Sequence, residues 1–188
     1  KSKAHEKWHK FFNSKDENIV QILRGCPLSY ESRHYKFYHK SFMEYFAALH
    51  IFNEIFQNPQ FNLNHLADSV INQKLLIKEP AILKYLAQMV CRQERDCDLL
   101  LRIVLESRPN AQGKSVTIAA DNALSVLNYA CFNFNGLDLS DIQAPNADLR
   151  SAYLDSANLQ RANLRYALFS RAWLLGADLR QTDLLYAT

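Results

Sequence analysis

Apolar residues recur every five positions along the last third of the chain. A small residue starts each unit, and a larger apolar residue follows two positions later, at Leu149, Leu154, Leu159, Leu164, Phe169, Leu174, Leu179 and Leu184. The same frame continues backwards with apolar residues at Phe132, Phe134, Leu137, Leu139 and Ile142. A period of five fits neither the 3.6 of a helix nor the 2.0 of a strand, so the chain must turn after every unit. We therefore predict a coiled repeat over 132–188 with the larger apolar residues along its axis.

The repeating unit, A-(D/N)-L-x-x, resembles that of the pentapeptide-repeat family. The resemblance covers roughly residues 132–188 and implies a right-handed quadrilateral parallel β-helix with four units per coil. Eleven units would make just under three coils, spaced about 4.8 Å apart. Such a short β-helix has unpaired backbone groups at both ends. Its first coil therefore needs a cap.

The segment just before the repeat predicts a helix that supplies this cap. Ala120, Leu124, Leu127 and Cys131 fall at i, i+4, i+7 and i+11, which places them on one helical face. We expect that face to cover the open end of the β-helix core.

The first 58 residues predict two helices with a hairpin between them. Ser14 with Glu17 forms a capping box for the first helix, which ends at Gly25. The segment PLSYESRHYKFYH then predicts a two-stranded wing. Helix, wing, helix is the order of a winged-helix domain, which we assign to 1–58.

The second helix of that domain begins at a capping box formed by Ser41 with Glu44. Its predicted inward stripe consists of Phe42, Tyr45, Phe46, Leu49 and Phe56. Further helices are predicted at about 64–77, 80–92 and 97–107, so 59–131 becomes a helical linker and cap. The predicted fold class is therefore α + β: a winged-helix and helical part followed by the β-helix at 132–188.

A second resemblance concerns the stretch YKFYHKSFMEYFAALHIFNEI, which contains the pattern F-x-H-x-S-F-x-E-Y-F-A-A. It resembles the strand-to-helix junction in the winged-helix domain of NACHT-type (STAND-class) signalling NTPases, and LRGCPL and LLIKEPAILKYLA also resemble parts of those proteins. The resemblance implies that the chain is a fragment of such an NTPase, that the parent binds ATP or ADP with Mg, and that His39 senses the β-phosphate of ADP. Judged from its neighbours alone, His39 is a strand-end histidine hydrogen-bonded to nearby backbone.

The chain shows no catalytic constellation of its own. Gly113, Lys114 and Ser115 look like the end of a Walker A motif, but Arg108 stands where its first glycine belongs. The six histidines have neither HExxH nor zinc-site spacing, and no nucleophile has a base that the sequence can place. We predict a non-enzymatic chain with no metal, no cofactor and no small-molecule substrate.

The composition of the chain bears on its cellular compartment and on the classes of partner it can bind. The balance of 22 Lys+Arg against 19 Asp+Glu gives a net charge of +3, which does not predict nucleic-acid binding. The four cysteines form no disulfide pattern, which favours a reducing, cytoplasmic compartment. No apolar stretch is long enough to span a bilayer, so we predict no membrane association.

Two functional hypotheses follow. In the first, the chain is a regulatory and interaction fragment of a signalling NTPase, and Tyr153, Trp173 and Leu175 form an outward apolar patch that binds a protein partner or another domain of the parent. Residues twenty apart stack in neighbouring coils. Tyr153 and Trp173 could therefore serve only to hold the coils together, which is an equally good interpretation. In the second, a free-standing pentapeptide-repeat protein mimics DNA and acts on a type II topoisomerase. Six aspartates against five arginines over 132–188 favour the first, because a DNA mimic needs a dense negative surface.

Overall fold

The computed structural model describes residues 28–31, 34–37, 39–90, 93–109 and 115–188. The chain divides into two compact units, residues 1–43 and 44–188. The helix predicted between Ser14 and Gly25 lies outside the described residues, as do Gly113 and Lys114. The helical segment and the repeat belong to the same unit, whereas the boundary expected at 58/59 stays a prediction.

The first unit contains the expected hairpin. Strands β1 (Leu28–Glu31) and β2 (His34–Phe37) pair antiparallel, with Leu28 opposite Phe37 and Glu31 opposite His34. A winged-helix domain also requires the first helix, so that assignment stays a prediction.

Helix α1 (Lys40–Phe52) continues into a π-helical turn, Asn53–Gln57, and its predicted inward stripe is wrong. The buried side chains are Glu44, Ala48, Ile51 and Ile55. Phe42, Tyr45 and Phe46 are instead exposed, and Leu49 and Phe56 are half-buried. Apolar residues occupy nearly every position from 42 to 52, so the periodicity of this segment does not select a single inward face.

The helix predicted at 64–77 is also wrong. Three short 3₁₀ turns, Leu63–Asp68, Val70–Asn72 and Leu76–Lys78, take its place. Asn62 accepts a hydrogen bond from the Asn64 N–H (2.9 Å), and the Ser69 hydroxyl donates to the Leu66 carbonyl (2.7 Å). Such local bonds compete with a continuous helix.

Helices α2 (Pro80–Val90), α3 (Glu94–Leu105) and α4 (Thr117–Tyr129) form the helical core of the second unit. The first two match the helices predicted at 80–92 and 97–107. Helix α4 packs against both α2 and α3, and every residue from 119 to 127 is buried. A helix buried around its whole circumference needs further partners, and the repeat supplies them.

The repeat winds into coils of twenty residues each. Parallel bridges join residues twenty positions apart, in columns such as 133–153–173 and 138–158–178. Twenty residues are four units, so the coil has four sides, and 133–188 makes just under three coils, as predicted. The right-handed sense implied by the family resemblance stays a prediction.

Each unit ends in a tight turn at a corner of the coil. Corner residues such as Ser151 adopt φ near +60°, and the next residue, Ala152, donates its N–H to the Leu149 carbonyl (3.1 Å). The aspartate or asparagine of the unit stabilises the turn, because its side chain accepts the N–H two residues later, as Asn158 does from Gln160 (3.1 Å). This local bond explains the D/N position of the motif.

Burial of the axial residues declines along the coil. Leu149, Leu154, Leu159 and Leu164 are buried, and Phe169, Leu174 and Leu179 are half-buried. Leu184 is 38% exposed. Within the described residues no further coil covers these last positions.

Candidate functional site

The first coil of the repeat is hydrogen-bonded to α4 by three polar side chains of that helix, Asp121, Ser125 and Asn128, which we call the polar row. The Asp121 carboxylate accepts hydrogen bonds from the backbone N–H of Asn146 (2.8 Å) and from its side-chain amide (3.3 Å). The Ser125 hydroxyl accepts the Asp148 N–H (2.9 Å), and the Asn128 amide donates to the Asp148 carbonyl (3.0 Å). These bonds satisfy backbone groups that the open edge would leave unpaired.

The end of α3 binds the neighbouring side of the same coil. The Ser107 hydroxyl accepts the Gln143 N–H (2.9 Å). The Arg108 guanidinium donates to the carbonyls of Ser140 and Asp138, each at 2.8 Å. Arg108 therefore binds the coil from the position where a phosphate-binding loop would need glycine.

The predicted cap is only partly the one observed. Ala120, Leu124 and Leu127 are fully buried, but Cys131 is exposed because α4 ends at Tyr129 and Cys131 forms the first corner of the coil. The polar row escaped prediction, since an apolar face was expected to make the contact. The spacing of its three members at i, i+4 and i+7 is the signal that could have revealed it.

The structure brings together two of the three residues predicted to bind a partner. The rings of Tyr153 and Trp173 stack across neighbouring coils with centroids 6.3 Å apart, and they are 48% and 59% exposed. Leu175, two residues beyond Trp173, is 81% exposed. We call Tyr153, Trp173 and Leu175 the ladder patch.

The rings of Tyr153 and Trp173 occupy a position whose side chain closes the turn in most other units. Tyr153 and Trp173 stand at the D/N position of their units and cannot accept the turn N–H. Asn135 accepts the Asp155 N–H instead, and Asp155 accepts the Leu175 N–H, both across coils at 2.8 Å. These cross-coil bonds allow the turns to form without an aspartate or asparagine at the ladder positions.

Ion pairs dominate much of the remaining outer surface of the coil. Arg161 binds Asp141 with two bonds of 2.7 Å, and Arg180 binds Asp178 at 2.7 Å. The hydrogen bond and charge of Arg180 hold the pKa of Asp178 down to about 2. A second ring stack joins Tyr166 and Tyr186, with centroids 5.0 Å apart.

His39 lies at the start of α1, in the first unit. Its Nδ1 accepts a hydrogen bond from the Ser41 N–H (3.2 Å), and its carbonyl accepts the Phe42 N–H (3.1 Å). His39 therefore caps the helix, a role expected for Ser41. Its role in nucleotide sensing stays a prediction.

Among residues 28–31, 34–37, 39–90, 93–109 and 115–188, no three His, Cys, Asp or Glu side chains cluster as metal ligands. No helix in that part of the chain has the length and apolar character needed to cross a bilayer.

Comparison with known proteins identifies the coil. The sequence model of the family described as Pentapeptide repeats matches residues 133–171 and 162–188, with eight copies. Residues 133–188 are therefore pentapeptide repeats, as the sequence pattern predicts. No curated protein shows a significant match to the chain, and no solved structure does.

Proposed function

We propose that the chain is a non-catalytic protein-interaction region and that the ladder patch is its contact surface. The observation that carries this proposal is the stacked, exposed pair Tyr153 and Trp173, with the exposed Leu175 two residues further along the chain. Large exposed aromatic and aliphatic groups in one place are typical of protein contact surfaces. The partner is a protein or another domain of the same parent.

The turn chemistry supports this interpretation over a purely structural one. An aspartate or asparagine at positions 153 and 173 would serve the turn locally, as Asn158 and Asp178 do. The aromatic rings give up that bond, and Asn135 and Asp155 replace it from the neighbouring coils. Stacking alone contributes only about 0.2 to 1 kcal/mol.

Trp173→Ala should therefore abolish partner binding while changing stability little. The free energy of unfolding should fall by no more than about 1 kcal/mol, because the ring supports only its stacking neighbour. Cross-link mapping of the full-length protein, run beside thermal melts, measures both quantities. Tyr186→Ala is the matched control, since it removes one ring of the other exposed stack and should leave the cross-links in place.

The reverse pattern would refute the contact surface. If Trp173→Ala melts early and retains every cross-link of the wild type, the ladder only joins coils and the partner binds elsewhere.

We further propose that the protein carrying this chain is a cytoplasmic NACHT-type signalling NTPase. The support is the unbroken pattern F-x-H-x-S-F-x-E-Y-F-A-A at 37–48, which resembles a junction in that family. ATP or ADP and Mg would then bind in a separate domain of the parent. A Walker A and Walker B pair in the same polypeptide, preceding residue 1, is the observation that tests this.

In that parent, His39→Leu and His39→Asn should both reduce the ADP that remains bound after purification, because each removes the imidazole. Only His39→Leu should destabilise the 188-residue chain, by about 1 kcal/mol, because asparagine still accepts the Ser41 N–H as a helix cap. Chromatographic quantification of released nucleotide gives the first result, and denaturant unfolding gives the second. Full ADP occupancy in both variants would remove the sensing role.

The alternative, a DNA mimic acting on a topoisomerase, has weaker support. Four of the six aspartates in 133–188 form ion pairs with arginines of the same repeat region: Asp141, Asp148, Asp178 and Asp183. A fifth, Asp138, pairs with Arg108 (3.0 Å). Neutralised carboxylates do not present the dense negative surface of a duplex.

A further inference from the structure

The coil has four corners, each a column of residues twenty positions apart, and two of them are closed by contacts between their own side chains. At one corner the Arg161 guanidinium binds the Asp141 carboxylate from the coil below. At another the rings of Tyr166 and Tyr186 stack. A third corner carries only glycine and serine, which offer little to a ligand.

The fourth corner is different. Its column consists of Cys131, Ser151 and Arg171. Arg171 has no hydrogen bond or ion pair with any described residue, and in this it is unlike the other arginines of 133–188. Those pair with aspartates: Arg150 with Asp148, Arg161 with Asp141, Arg165 with Asp183 and Arg180 with Asp178.

This corner opens into a cleft of about 710 Å³, lined in part by Arg171, Ser151, Ser170 and Arg150. The charge of Arg150 is neutralised by the buried carboxylate of Asp148. Arg171 therefore gives the cleft one uncompensated positive charge. The hydroxyls of Ser151 and Ser170 make no hydrogen bond within the described residues, so they are free to donate. A guanidinium beside free hydroxyl donors suits a carboxylate.

The cleft and the ladder patch form one continuous surface, because Tyr153 lines the cleft and also stacks on Trp173. The far end of the patch has the opposite charge. There the Asp155 carboxylate accepts the N–H of Leu175 (2.8 Å). A ligand on this surface thus meets a cation at one end, apolar rings in the middle and an anion at the other end.

We propose that this surface binds a protein segment in which a leucine or aromatic side chain is followed or preceded by an acidic residue. The apolar side chain packs on Trp173 and Leu175, and the carboxylate enters the cleft beside Arg171. This inference rests on the proposed interaction function and adds the chemical class of the partner.

Trp173 can report binding in the 188-residue chain. Trp8 and Trp173 are its two tryptophans, so in a Trp8→Phe background the fluorescence comes from the ladder. The probe is an acetylated and amidated pentapeptide with acidic residues on one side of the apolar pair, Asp-Glu-Leu-Phe-Gln, and its neutral counterpart is Asn-Gln-Leu-Phe-Gln. The acidic peptide should bind roughly ten- to hundred-fold more tightly than the neutral one, because a hydrogen bond to a charged group contributes about that factor to affinity. This preference should fall as the salt concentration rises.

Arg171→Gln should reduce the preference to about one and leave the affinity for the neutral peptide unchanged. The substitution should not disturb the fold, because Arg171 makes no bond within the described residues and Gln181 already occupies the same φ > 0 corner conformation. Arg180→Gln, which removes a paired arginine, is the matched control and should keep the preference.

Equal affinity of the wild type for both peptides would overturn the inference, as would no detectable binding of either, or a preference that survives Arg171→Gln. None of these outcomes would remove the contact surface itself, since the cross-links of Trp173→Ala test that separately. Loss of the peptide preference in Arg171→Gln alone supports the acidic partner.

Discussion

Asp121→Asn should raise the free energy of unfolding at pH 8 by about 2 to 4 kcal/mol and should leave it nearly unchanged at pH 4. Asp121 is a carboxyl with 1% exposure in the middle of α4. Burial raises its pKa to about 7, against the smaller opposing effect of the two hydrogen bonds from Asn146. An asparagine there keeps an oxygen for the Asn146 N–H and carries no charge to bury.

The sign follows from proton binding. The folded chain binds the Asp121 proton more tightly than the unfolded chain, so protonation stabilises the fold. This contribution is fully present below the unfolded pKa of about 4 and is lost as pH rises through 7. A difference of about three pH units is worth about 4 kcal/mol, which sets the upper value of the expected gain.

Urea unfolding of wild type and variant from pH 4 to pH 8 measures this effect. The difference between the two curves isolates Asp121, because the other carboxyls contribute to both. Parallel curves across that range would mean that the buried carboxyl titrates in the folded chain as it does in the unfolded one. A variant that is less stable at pH 8 would show that the charged acceptor is needed at the coil edge.

The repeat could be predicted from the sequence because its determinants are local. One apolar residue per side and one turn per unit recur without interruption, and the D/N side chain bonds only two residues away. The register then placed Tyr153 beneath Trp173 without further information. Positions twenty apart become neighbours, so the register also places Arg171 above Ser151.

The segment between α1 and α2 could not be predicted in the same way, because its bonds are distant in sequence. Asn122 accepts the Leu76 N–H and donates to the carbonyls of Ile71 and Lys74, each at 2.8 Å. Those partners lie more than 45 residues before Asn122. The apolar periodicity of 64–77 indicated a helix, but buried amide bonds of this kind decide the backbone path.

The polar contact between α4 and the coil was missed for a related reason. A sequence shows which helix face is apolar, but it does not show that Asp121 and Ser125 will meet unpaired N–H groups. That contact depends on how the first coil lies against α4. Since α4 is buried all round, its apolar periodicity carried little information about which side faces the repeat.

Leu159→Ala should lower the free energy of unfolding by about 2 to 5 kcal/mol, because it opens a cavity in the middle of the axis. Leu159 is fully buried and lies in one column with Leu139 below and Leu179 above. No neighbouring side chain can move into the space without leaving its own position on the axis. The loss should appear as a lower urea midpoint with an unchanged slope.

Leu179→Ala is the matched comparison, since it removes the same side chain from the same column one coil later. Leu179 is half-buried beside the exposed end of the axis, so the space left by the substitution is open to water and the loss should be smaller, about 1 to 2 kcal/mol. The outward Gln181→Ala should stay within about half a kcal/mol. Gln160 is no such control, because its amide donates to the Asp178 carboxylate. Equal losses for Leu159→Ala and Leu179→Ala would show that the repeat is covered equally at both positions, and equal losses for Leu159→Ala and Gln181→Ala would show that the inward register is wrong.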